Sequence, residues 1–332
     1  MGPLALTLGD PAGIGPEIVV KAWRALKDEG PAFFVVGDAQ SLASAPAGGA
    51  PILAIGSPHD AKGAFADGIP VLDLPLRAPV VAGQPSSAAA PSIIQWIETA
   101  VGLALSGTVA GVVTAPIAKA PLYEAGFKFP GHTEFLGELT AAASYDGARG
   151  PIMMLTAQDL RVTLVTVHDP LAKVPGKLSI EGVVNAGLVT AQALRRDFGV
   201  ATPRVALAGL NPHAGESGTL GREETDVVEP AARALRALGV DVLGPLPADT
   251  LFPAEMRQRY DAVVCMYHDQ ALIPVKMLDF WGGVNVTLGL PIVRTSPDHG
   301  VAFDIAGRGQ ARADSLVAAL RAADKIAQRR ST

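Results

Sequence analysis

Three histidines stand behind apolar stretches that lie far apart in the sequence: His168, His213 and His268. Imidazole is a common metal ligand in proteins, and three protein ligands with one open position are the arrangement of catalytic zinc sites. If the three stretches are neighbouring strands, the histidines converge and can hold one divalent metal ion. The alternative is three unrelated loop histidines, each satisfied by hydrogen bonds. No HExxH or CxxC motif distinguishes these two interpretations.

Two cations, Lys276 and Arg294, lie in an otherwise apolar part of the chain. A cation that is removed from water needs an anionic partner. That partner is either a phosphate or carboxylate of a substrate, or one of the nearby aspartates, Asp279 and Asp298. The residues alone leave both possibilities open.

His132 and Thr133 lie at the start of a predicted helix. The first turn of a helix has unpaired backbone N–H groups, so side chains and backbone together can bind an anion at this position. Thr133 and Glu134 also fit an ordinary helix start, which needs no ligand. The glycine-rich segment 9–15 resembles phosphate-binding loops only generically, because it matches neither GxGxxG nor a P-loop.

The segment from Val263 to Arg308 carries many of these polar groups, and each group follows an apolar run. Residues 262–266 are predicted to form a buried strand that ends in Tyr-His-Asp-Gln. Residues 284–287 and 290–293 are predicted to form two further strands, the second of which ends at Arg294. In open α/β sheets ligands bind at the carboxyl ends of strands, so this segment is predicted to form one wall of an active site.

Strands alternate with helices along the chain, which indicates the α/β class. From the spacing of apolar residues, helices are predicted over 92–105, 180–198, 223–238 and 314–330. Two pairs of closely spaced strands, within 152–167 and within 284–293, are typical of antiparallel hairpins. The sheet is therefore predicted to be mixed.

The composition is that of a chain able to bury a large core, since 49% of its 332 residues are apolar. A net charge of -5 without a basic block makes nucleic acid and anionic membranes poor partners. The single cysteine, Cys265, excludes an intrachain disulfide and suggests a reducing compartment. No signal peptide is recognisable and no apolar run reaches about 18 residues, so we expect a soluble cytoplasmic protein.

Taken together, these segments resemble the 4-hydroxythreonine-4-phosphate dehydrogenase family of vitamin B6 (pyridoxine and pyridoxal phosphate) biosynthesis. The resemblance rests on motifs that cover nearly the whole chain in order: GDPAGIGPE at 9–17, GHTEFL at 131–136, TVHDPL at 166–171, GLNPHAGE at 209–216, GPLPADT at 244–250, MYHDQ at 266–270 and NVTLGLPIVRTSPDHG at 285–300. More distantly, the chain is similar to isocitrate and isopropylmalate dehydrogenases, through the first motif and through His299-Gly300 followed by Asp304-Ile305-Ala306-Gly307.

The resemblance implies a two-domain α/β/α fold with mixed sheets, like that of isopropylmalate dehydrogenase and unlike a classical Rossmann fold. A cofactor-side domain is expected over 1–125 plus 295–332. A domain for metal, substrate and dimerisation is expected over 126–294.

The resemblance also implies roles for individual residues. A divalent metal ion (zinc, magnesium or cobalt) is expected at His168, His213 and His268, with His268 supplied by the partner chain of a homodimer. The substrate-binding positions of the family match His132, Thr133, Lys276, Asn285 and Arg294. NAD or NADP is expected near residues 290–309, with contacts from Gly289, Leu290, Thr295, Asp298, His299, Gly300 and Asp304. The candidates for proton transfer are Lys276, Asp269 and Asp249.

The reaction implied is the metal-dependent, NAD(P)-linked oxidation of 4-phosphohydroxy-L-threonine to the 3-oxo acid, followed by decarboxylation to 3-amino-2-oxopropyl phosphate. A sibling enzyme that acts on 4-phosphothreonate or 4-phosphoerythronate would use the same metal and hydride chemistry. A second alternative function is a metal-dependent hydrolase or lyase without a nicotinamide, and a third is a non-catalytic phospho-acid binding protein.

Two departures from the family pattern, Ala118 and Val301, lie in loops expected to line the cofactor or the substrate. They bear on cofactor preference more than on activity.

Overall fold

The computed structural model describes residues 2–46 and 49–331. Within these residues the backbone forms twelve strands: β1 (Leu4–Thr7), β2 (Phe33–Gly37), β3 (Ile52–Ala54), β4 (Ile69–Asp73), β5 (Gly111–Thr114), β6 (Ile152–Ala157), β7 (Leu160–Leu164), β8 (Arg204–Ala208), β9 (Asp241–Leu246), β10 (Ala262–Cys265), β11 (Val284–Leu288) and β12 (Arg294–Pro297). The same residues form twelve α-helices: α1 (Gly15–Leu26), α2 (Ala39–Ala43), α3 (Ala61–Ala64), α4 (Ala90–Leu105), α5 (Lys119–Glu124), α6 (His132–Leu139), α7 (Val174–Lys177), α8 (Ile180–Arg196), α9 (Glu229–Ala237), α10 (Ala254–Arg257), α11 (His268–Leu278) and α12 (Asp314–Arg330). The predicted α/β class is confirmed.

The chain divides into two compact units. The first unit consists of Met1–Ser144 with Pro291–Thr332, and the second consists of Tyr145–Leu290. The domains predicted from the sequence are 1–125 plus 295–332 and 126–294. The main difference is the segment 126–144, which belongs to the first unit and not to the second. How substrate, cofactor and interface roles divide between the units stays a prediction.

The first unit contains a parallel sheet with the strand order β3-β4-β2-β1-β5-β12. All four residues of β1 are buried, as expected of a central parallel strand that is covered on both faces. Pro16 and Glu17 fall in the first turn of α1. Proline suits this turn because its missing N–H is not needed there, and the carboxylate suits the positive end of the helix dipole.

The second unit contains a mixed sheet with the strand order β11-β6-β7-β10-β8-β9. β6 is antiparallel to both β11 and β7, whereas β7, β10, β8 and β9 run parallel. The predicted hairpin within 152–167 is therefore present, as β6 and β7. Cys265 lies in the core of this unit, and burial raises the pKa of its thiol. It is a small buried hydrophobic residue and not a nucleophile.

The strand predicted over 290–293 is wrong, and so is the hairpin predicted within 284–293. The strand that follows β11 in the chain is β12, which begins at Arg294. Pro291 has no N–H to donate to a ladder, which disfavours it in a central strand. Arg294 consequently lies inside a strand and pairs with Val112 of β5, instead of following a strand end.

One helical stretch, Ser87–Leu105, is long and apolar enough to cross a membrane by length and composition, with a mean hydropathy of 1.3. It is not an uninterrupted apolar run, because it contains Gln95 and Glu98, so the expectation that no such run reaches about 18 residues is not overturned. The stretch contains α4, whose Ile93, Trp96 and Ile97 are buried and which contacts β1, β2 and β5. Because the core helix of a globular protein passes the same test, we assign α4 to the core of the first unit.

Candidate active site

The three histidines predicted as metal ligands follow three adjacent strands of the second unit. β10 is parallel to β7 on one side and to β8 on the other. His168 follows β7, His268 follows β10, and His213 follows β8. Because the carboxyl ends of parallel neighbours lie at the same edge of a sheet, the fold carries the three histidine segments to one edge.

His168 and His268 lie side by side. Their ring centroids are 5.7 Å apart, and both rings line a cavity of about 250 Å³ together with Asp169 and Asp269. His268 Nδ1 lies 2.7 Å from Asp269 Oδ1, a hydrogen bond that leaves Nε2 as the nitrogen for a ligand. Two imidazoles on one zinc ion, with Zn–N bonds of about 2.0–2.1 Å, have centroids roughly 5 Å apart. Two imidazoles at this spacing within one chain fit a divalent metal ion, and the expectation that His268 is supplied by the partner chain stays a prediction.

His213 is exposed, and it begins a turn of unusual backbone conformation. Among residues 2–46 and 49–331, no three His, Cys, Asp or Glu side chains of one chain form a group that could hold a metal ion. The structure thus brings together two of the three predicted ligands. The complete three-histidine site stays a prediction.

Side-chain hydrogen bonds connect the three strand ends. Thr166 Oγ1, beyond β7, donates to the carbonyl of Met266, beyond β10, at 2.7 Å. The Met266 N–H donates to Gln270 Oε1 at 2.7 Å, and Gln270 Nε2 donates to the Gly209 carbonyl, beyond β8, at 2.7 Å. Thr166 and Gln270 are both buried. This series of bonds keeps the segments that carry His168, His268 and His213 in register.

A second polar group lies in the first unit, around the start of α6. His132 is the first residue of that helix, and Lys119 is the first residue of α5. A Cβ atom at Gly131 would lie 3.7 Å from Lys119 Nζ, so the ammonium is beside the helix start. Arg294 is only 2% exposed, and its Nη2 donates to Thr114 Oγ1 at 2.7 Å. We call His132, Lys119 and Arg294 the anion group.

The electrostatics of the anion group favour a negatively charged ligand. Burial lowers the pKa of His132 well below 6.5, and the positive charges of Arg294 and Lys119 lower it further. Its Nε2 is buried and has no hydrogen-bond partner in the part of the chain that is described. Burial also lowers the pKa of Arg294, to about 10, while Glu134 acts in the opposite direction. At neutral pH the imidazole is therefore uncharged and the guanidinium is charged.

The other predicted substrate and proton-transfer residues belong to the second unit. Lys276 lies near the end of α11, half-buried, with its Nζ 5.3 Å from the centre of the Phe280 ring. Asn285 lies in β11, and its Oδ1 is buried without a hydrogen-bond partner among the described residues. A buried acceptor of this kind needs a donor, which either a ligand or a water molecule can supply. Asp249 is exposed on a short 3-10 turn after β9.

Five of the predicted cofactor contacts lie on the segment that begins in β12: Thr295, Asp298, His299, Gly300 and Asp304. Thr295 is buried and donates its hydroxyl hydrogen to the Ala319 carbonyl at 2.8 Å. The Asp298 N–H donates to Ser315 Oγ at 3.0 Å. These two bonds attach the segment to α12. His299, Gly300 and Asp304 are half-buried or exposed and are accessible to a ligand.

Gly289 and Leu290, also predicted as cofactor contacts, are explained by packing within the second unit. Leu290 is buried. Gly289 has φ +72, and a Cβ atom there would come within 2.2 Å of the Gly150 nitrogen. The Gly150 N–H also donates to the Gly289 carbonyl at 2.8 Å. The backbone conformation and this close approach require glycine whether or not a ligand binds.

A cavity of about 560 Å³ lies in the first unit at the carboxyl ends of β1, β2 and β4. Gly307, which ends the Asp-Ile-Ala-Gly motif, contributes to its wall, as does Gly13 of the glycine-rich segment. Glu17 and Asp38 also line it, whereas no lysine or arginine among the described residues does. Its volume and position suit part of a dinucleotide.

Sequence reasoning did not include Lys119 in the anion group. The residue follows β5 at a strand end, which is the same signal that identified the three histidines. Thr166 and Gln270 also follow strands, but their residue types did not indicate their role. Their role depends on hydrogen bonds between strands that are distant in the sequence, and only the register of the sheet reveals them.

Comparison with known proteins gives a consistent set of relatives. A family model described as pyridoxal phosphate biosynthetic protein PdxA matches residues 29–323. A 4-hydroxythreonine-4-phosphate dehydrogenase from Caulobacter vibrioides is 69% identical over 328 residues, which cover 99% of this chain and 98% of the relative.

Solved structures extend the comparison to the fold. A 4-hydroxythreonine-4-phosphate dehydrogenase from Klebsiella pneumoniae matches with a TM-score of 0.86 and 42% identity, covering 99% of this chain and 100% of the other. A terephthalate 1,2-cis-dihydrodiol dehydrogenase from Burkholderia xenovorans LB400 matches with a TM-score of 0.64 and 31% identity, covering 98% of each chain. The fold thus occurs in dehydrogenases named for a phosphorylated substrate and for one without phosphate.

Proposed function

The chain belongs to the family of pyridoxal phosphate biosynthetic protein PdxA, and from this premise we propose that it catalyses the NAD(P)-linked oxidation of 4-phosphohydroxy-L-threonine. The secondary hydroxyl of the substrate becomes a ketone. The resulting 3-oxo acid then loses carbon dioxide to give 3-amino-2-oxopropyl phosphate. We further propose a cytoplasmic location, since the one cysteine, Cys265, is buried and requires no oxidising compartment.

The observation that carries the choice of substrate is the anion group. It combines two cations with a neutral imidazole whose Nε2 is buried and has no hydrogen-bond partner among the described residues. A phosphate monoester accepts charge-assisted hydrogen bonds from such a set, and the guanidinium of Arg294 can offer two in parallel. The backbone N–H of Thr133, in the first turn of α6, is a further donor for the same phosphate.

Lys276 and Asn285 are proposed to bind the amino-acid end of the substrate. The buried Oδ1 of Asn285 suits a hydroxyl or ammonium donor. Lys276 is the first candidate for accepting the proton of the reacting hydroxyl, as a neutral amine, because the residue is half-buried. Asp269 and Asp249 are secondary candidates. The bond from Asp269 to His268 supports a role in orienting that imidazole.

We propose that His168, His213 and His268 hold a divalent metal ion, of which zinc, magnesium and cobalt are the candidates. The neighbouring rings of His168 and His268 and the orienting bond from Asp269 support this assignment. When bound, such an ion supplies Lewis-acid stabilisation for negative charge that develops on the oxygen of the substrate.

We propose that NAD or NADP supplies the hydride acceptor and binds through His299, Gly300 and Asp304. The cavity of about 560 Å³ beside this segment is proposed to receive part of the dinucleotide. Its lining has two carboxylates and, among the described residues, no lysine or arginine, which favours a free ribose 2′-hydroxyl over a 2′-phosphate. NAD is therefore the preferred candidate.

The working unit is proposed to be a homodimer. The helix α11 begins with His268 and presents an apolar face to solvent: Ile273 is 59% exposed and Met277 is 83% exposed. Phe280 and Trp281, just beyond the helix, are 61% and 51% exposed. Exposed apolar residues grouped in this way are typical of an interface. A second copy docked on this face would bring its own side chains near His268, as a composite site requires.

Composite sites have a direct test in mixed dimers of inactive subunits. His213→Ala and His268→Ala subunits are combined under exchange conditions that mass spectrometry verifies. If ligands come from both chains, a mixed dimer contains one doubly damaged site and one intact site. Activity should then return to about a quarter of the wild-type value, because half of the dimers are mixed and each has one intact site of two. Verified exchange without activity would show that one chain supplies both His213 and His268 to a site, and the proposal that His268 comes from the partner chain would be wrong.

The proposed reaction is tested by following NAD(P)H formation with 4-phosphohydroxy-L-threonine and with 4-phosphothreonate, each with and without a chelator. We expect turnover of the first compound and loss of turnover after metal removal, restored by adding zinc, magnesium or cobalt. Preferential turnover of 4-phosphothreonate would instead identify a sibling dehydrogenase. If no phosphorylated substrate is turned over, the assignment of the anion group as the phosphate-binding site loses its support.

Arg294→Lys tests the phosphate assignment. Lysine keeps the charge but cannot make two parallel hydrogen bonds, so we expect KM for the phosphorylated substrate to rise by about 10- to 100-fold. The matched control is Arg24→Lys, the same replacement at an exposed position of the first unit. An unchanged KM in a folded Arg294→Lys variant would count against the assignment.

A further inference from the structure

The turn that carries His213 has a backbone conformation that L-residues avoid. We call residues 213–217 the left-handed turn, because all five have positive φ. The φ values of its non-glycine residues are 52 for His213, 52 for Ala214, 44 for Glu216 and 57 for Ser217. Side chains in this region crowd the following carbonyl, so such residues normally occur singly and not in runs. A run of this length persists only where the surroundings enforce it.

The enforcing contact comes from a buried carboxylate. Glu224 is 1% exposed. Its Oε1 accepts the backbone N–H of Asn211 at 2.7 Å, and its Oε2 accepts Asn211 Nδ2 at 2.9 Å. The Asn211 carbonyl in turn accepts the Ala214 N–H, inside the left-handed turn, at 3.1 Å. Both oxygens of one carboxylate thus fix the residue from which the turn starts.

Glycines allow the turn to lie directly against this carboxylate. A Cβ atom at Gly215 would come within 2.5 Å of Glu224 Oε2. A Cβ atom at Gly221 would come within 2.3 Å of Asn211 Nδ2. Glu224 is also the first residue of a π-helical turn, Glu224–Val228, a rare form that is frequent at functional sites.

We infer that Glu224 is a positioning residue for His213. Its carboxylate holds Asn211 and the left-handed turn, and so fixes the place of the imidazole that begins the turn. This inference rests on the proposed function, in which His213 is a metal ligand. Groups that orient metal ligands through hydrogen bonds raise metal affinity by about 10- to 100-fold.

The test is metal binding by the full-length Glu224→Gln variant after removal of metal. Glutamine has the same shape and can still accept the Asn211 N–H, but its Nε2 then faces Asn211 Nδ2, and two donors oppose each other. Zinc affinity is measured by competition with a chromophoric chelator, at a temperature where circular dichroism shows the variant to be folded. We expect zinc to bind about 10- to 100-fold more weakly than to the wild type.

A spectroscopic readout separates positioning from a general loss of stability. Cobalt(II) bound to the wild type and to Glu224→Gln should give different d–d absorption, since the coordination geometry changes. Asp226→Asn is the matched control, because it removes an exposed carboxylate of the same segment, which pairs only with Arg222 in the described structure. It should keep the wild-type affinity and spectrum. If Glu224→Gln does not fold, Gly215→Ala is measured instead, because its Cβ would come within 2.5 Å of Glu224 Oε2 at a position with φ +79.

The outcomes identify which statement fails. If His213→Ala binds zinc as tightly as the wild type, His213 is not a ligand, and both the proposed metal site and this inference are wrong. If His213→Ala weakens binding while a folded Glu224→Gln keeps the wild-type affinity and cobalt spectrum, only the positioning role is overturned.

Discussion

Burial takes His132 out of the pH range in which histidines usually titrate. The pKa of its imidazole lies well below 6.5, first because of burial and then because of Arg294 and Lys119. In the unfolded chain the same residue titrates near 6.5. Below that pH the unfolded state binds a proton that the folded state does not, so the folded state loses stability as pH falls.

We therefore expect His132→Gln to flatten the pH dependence of stability between pH 5 and 7. His132 contributes a slope of up to about 1.4 kcal/mol per pH unit below 6.5, and the contribution vanishes above it. The measurement is urea denaturation of wild type and variant at several pH values. The matched control is His59→Gln, at an exposed position of the same unit. Equal slopes for wild type and His132→Gln would show that the imidazole titrates normally in the folded protein.

At the residue scale, the sequence identified side chains by type and by position after apolar runs. The ring centroids of His168 and His268 lie 5.7 Å apart within one chain, while their predicted role as metal ligands stays a prediction. The sequence signal had no access to Glu224, which in the sequence is one of several acids at an ordinary helix start. The role of Glu224 comes from hydrogen bonds to Asn211, thirteen positions earlier (224 minus 211). The left-handed conformation of the intervening turn cannot be predicted from its residue types.

At the element scale, long segments with a clear apolar period were predicted well. The helix predicted over 314–330 is α12, and the one predicted over 180–198 is α8 with a slightly earlier end. The strand predicted over 290–293 failed because apolar residues alone do not make a strand. The pairing of Arg294 with Val112 set the start of β12, and that pairing joins distant parts of the chain.

Gly289→Ala tests whether this glycine after β11 serves the backbone. The added Cβ meets the Gly150 nitrogen and the position has φ +72, so the free energy of unfolding should fall by roughly 2–4 kcal/mol. Urea denaturation without any ligand measures the loss. Gly176→Ala, in the same unit with open space around its Cβ position, should change stability by no more than about 0.5 kcal/mol. Similar stability of both variants would show that the glycine is not needed for packing.

At the scale of the whole molecule, the family and the α/β class followed from the sequence. The order of the motifs along the chain was sufficient to predict the family, and the alternation of strands and helices was sufficient to predict the class. The boundaries of the units were harder to predict from the sequence. The segment 126–144 belongs to the first unit through contacts that composition does not reveal. The homodimer is suggested by resemblance, and the exposed apolar face of α11 is only its proposed interface.

Met277→Glu should dissociate the proposed dimer. Met277 is 83% exposed, so a charge there costs the single chain little, whereas an apolar interface would have to bury it. Sedimentation velocity measures the result, and we expect the variant to sediment as a monomer at concentrations where the wild type is a dimer. The control is Leu238→Glu, at another exposed apolar side chain of the second unit. If both variants sediment like the wild type, the interface lies elsewhere.

The second unit is inserted into the first, which affects how the protein can be made. The chain begins the first unit, leaves it after Ser144 and returns at Pro291. During synthesis, all strands of the second unit emerge before β12 and α12, which complete the first. The first unit to start on the ribosome is thus the last to be finished, and until then β5 lacks its neighbour β12. Because an exposed strand edge can pair with other chains, we expect the unfinished chain to be more prone to aggregation than the finished one.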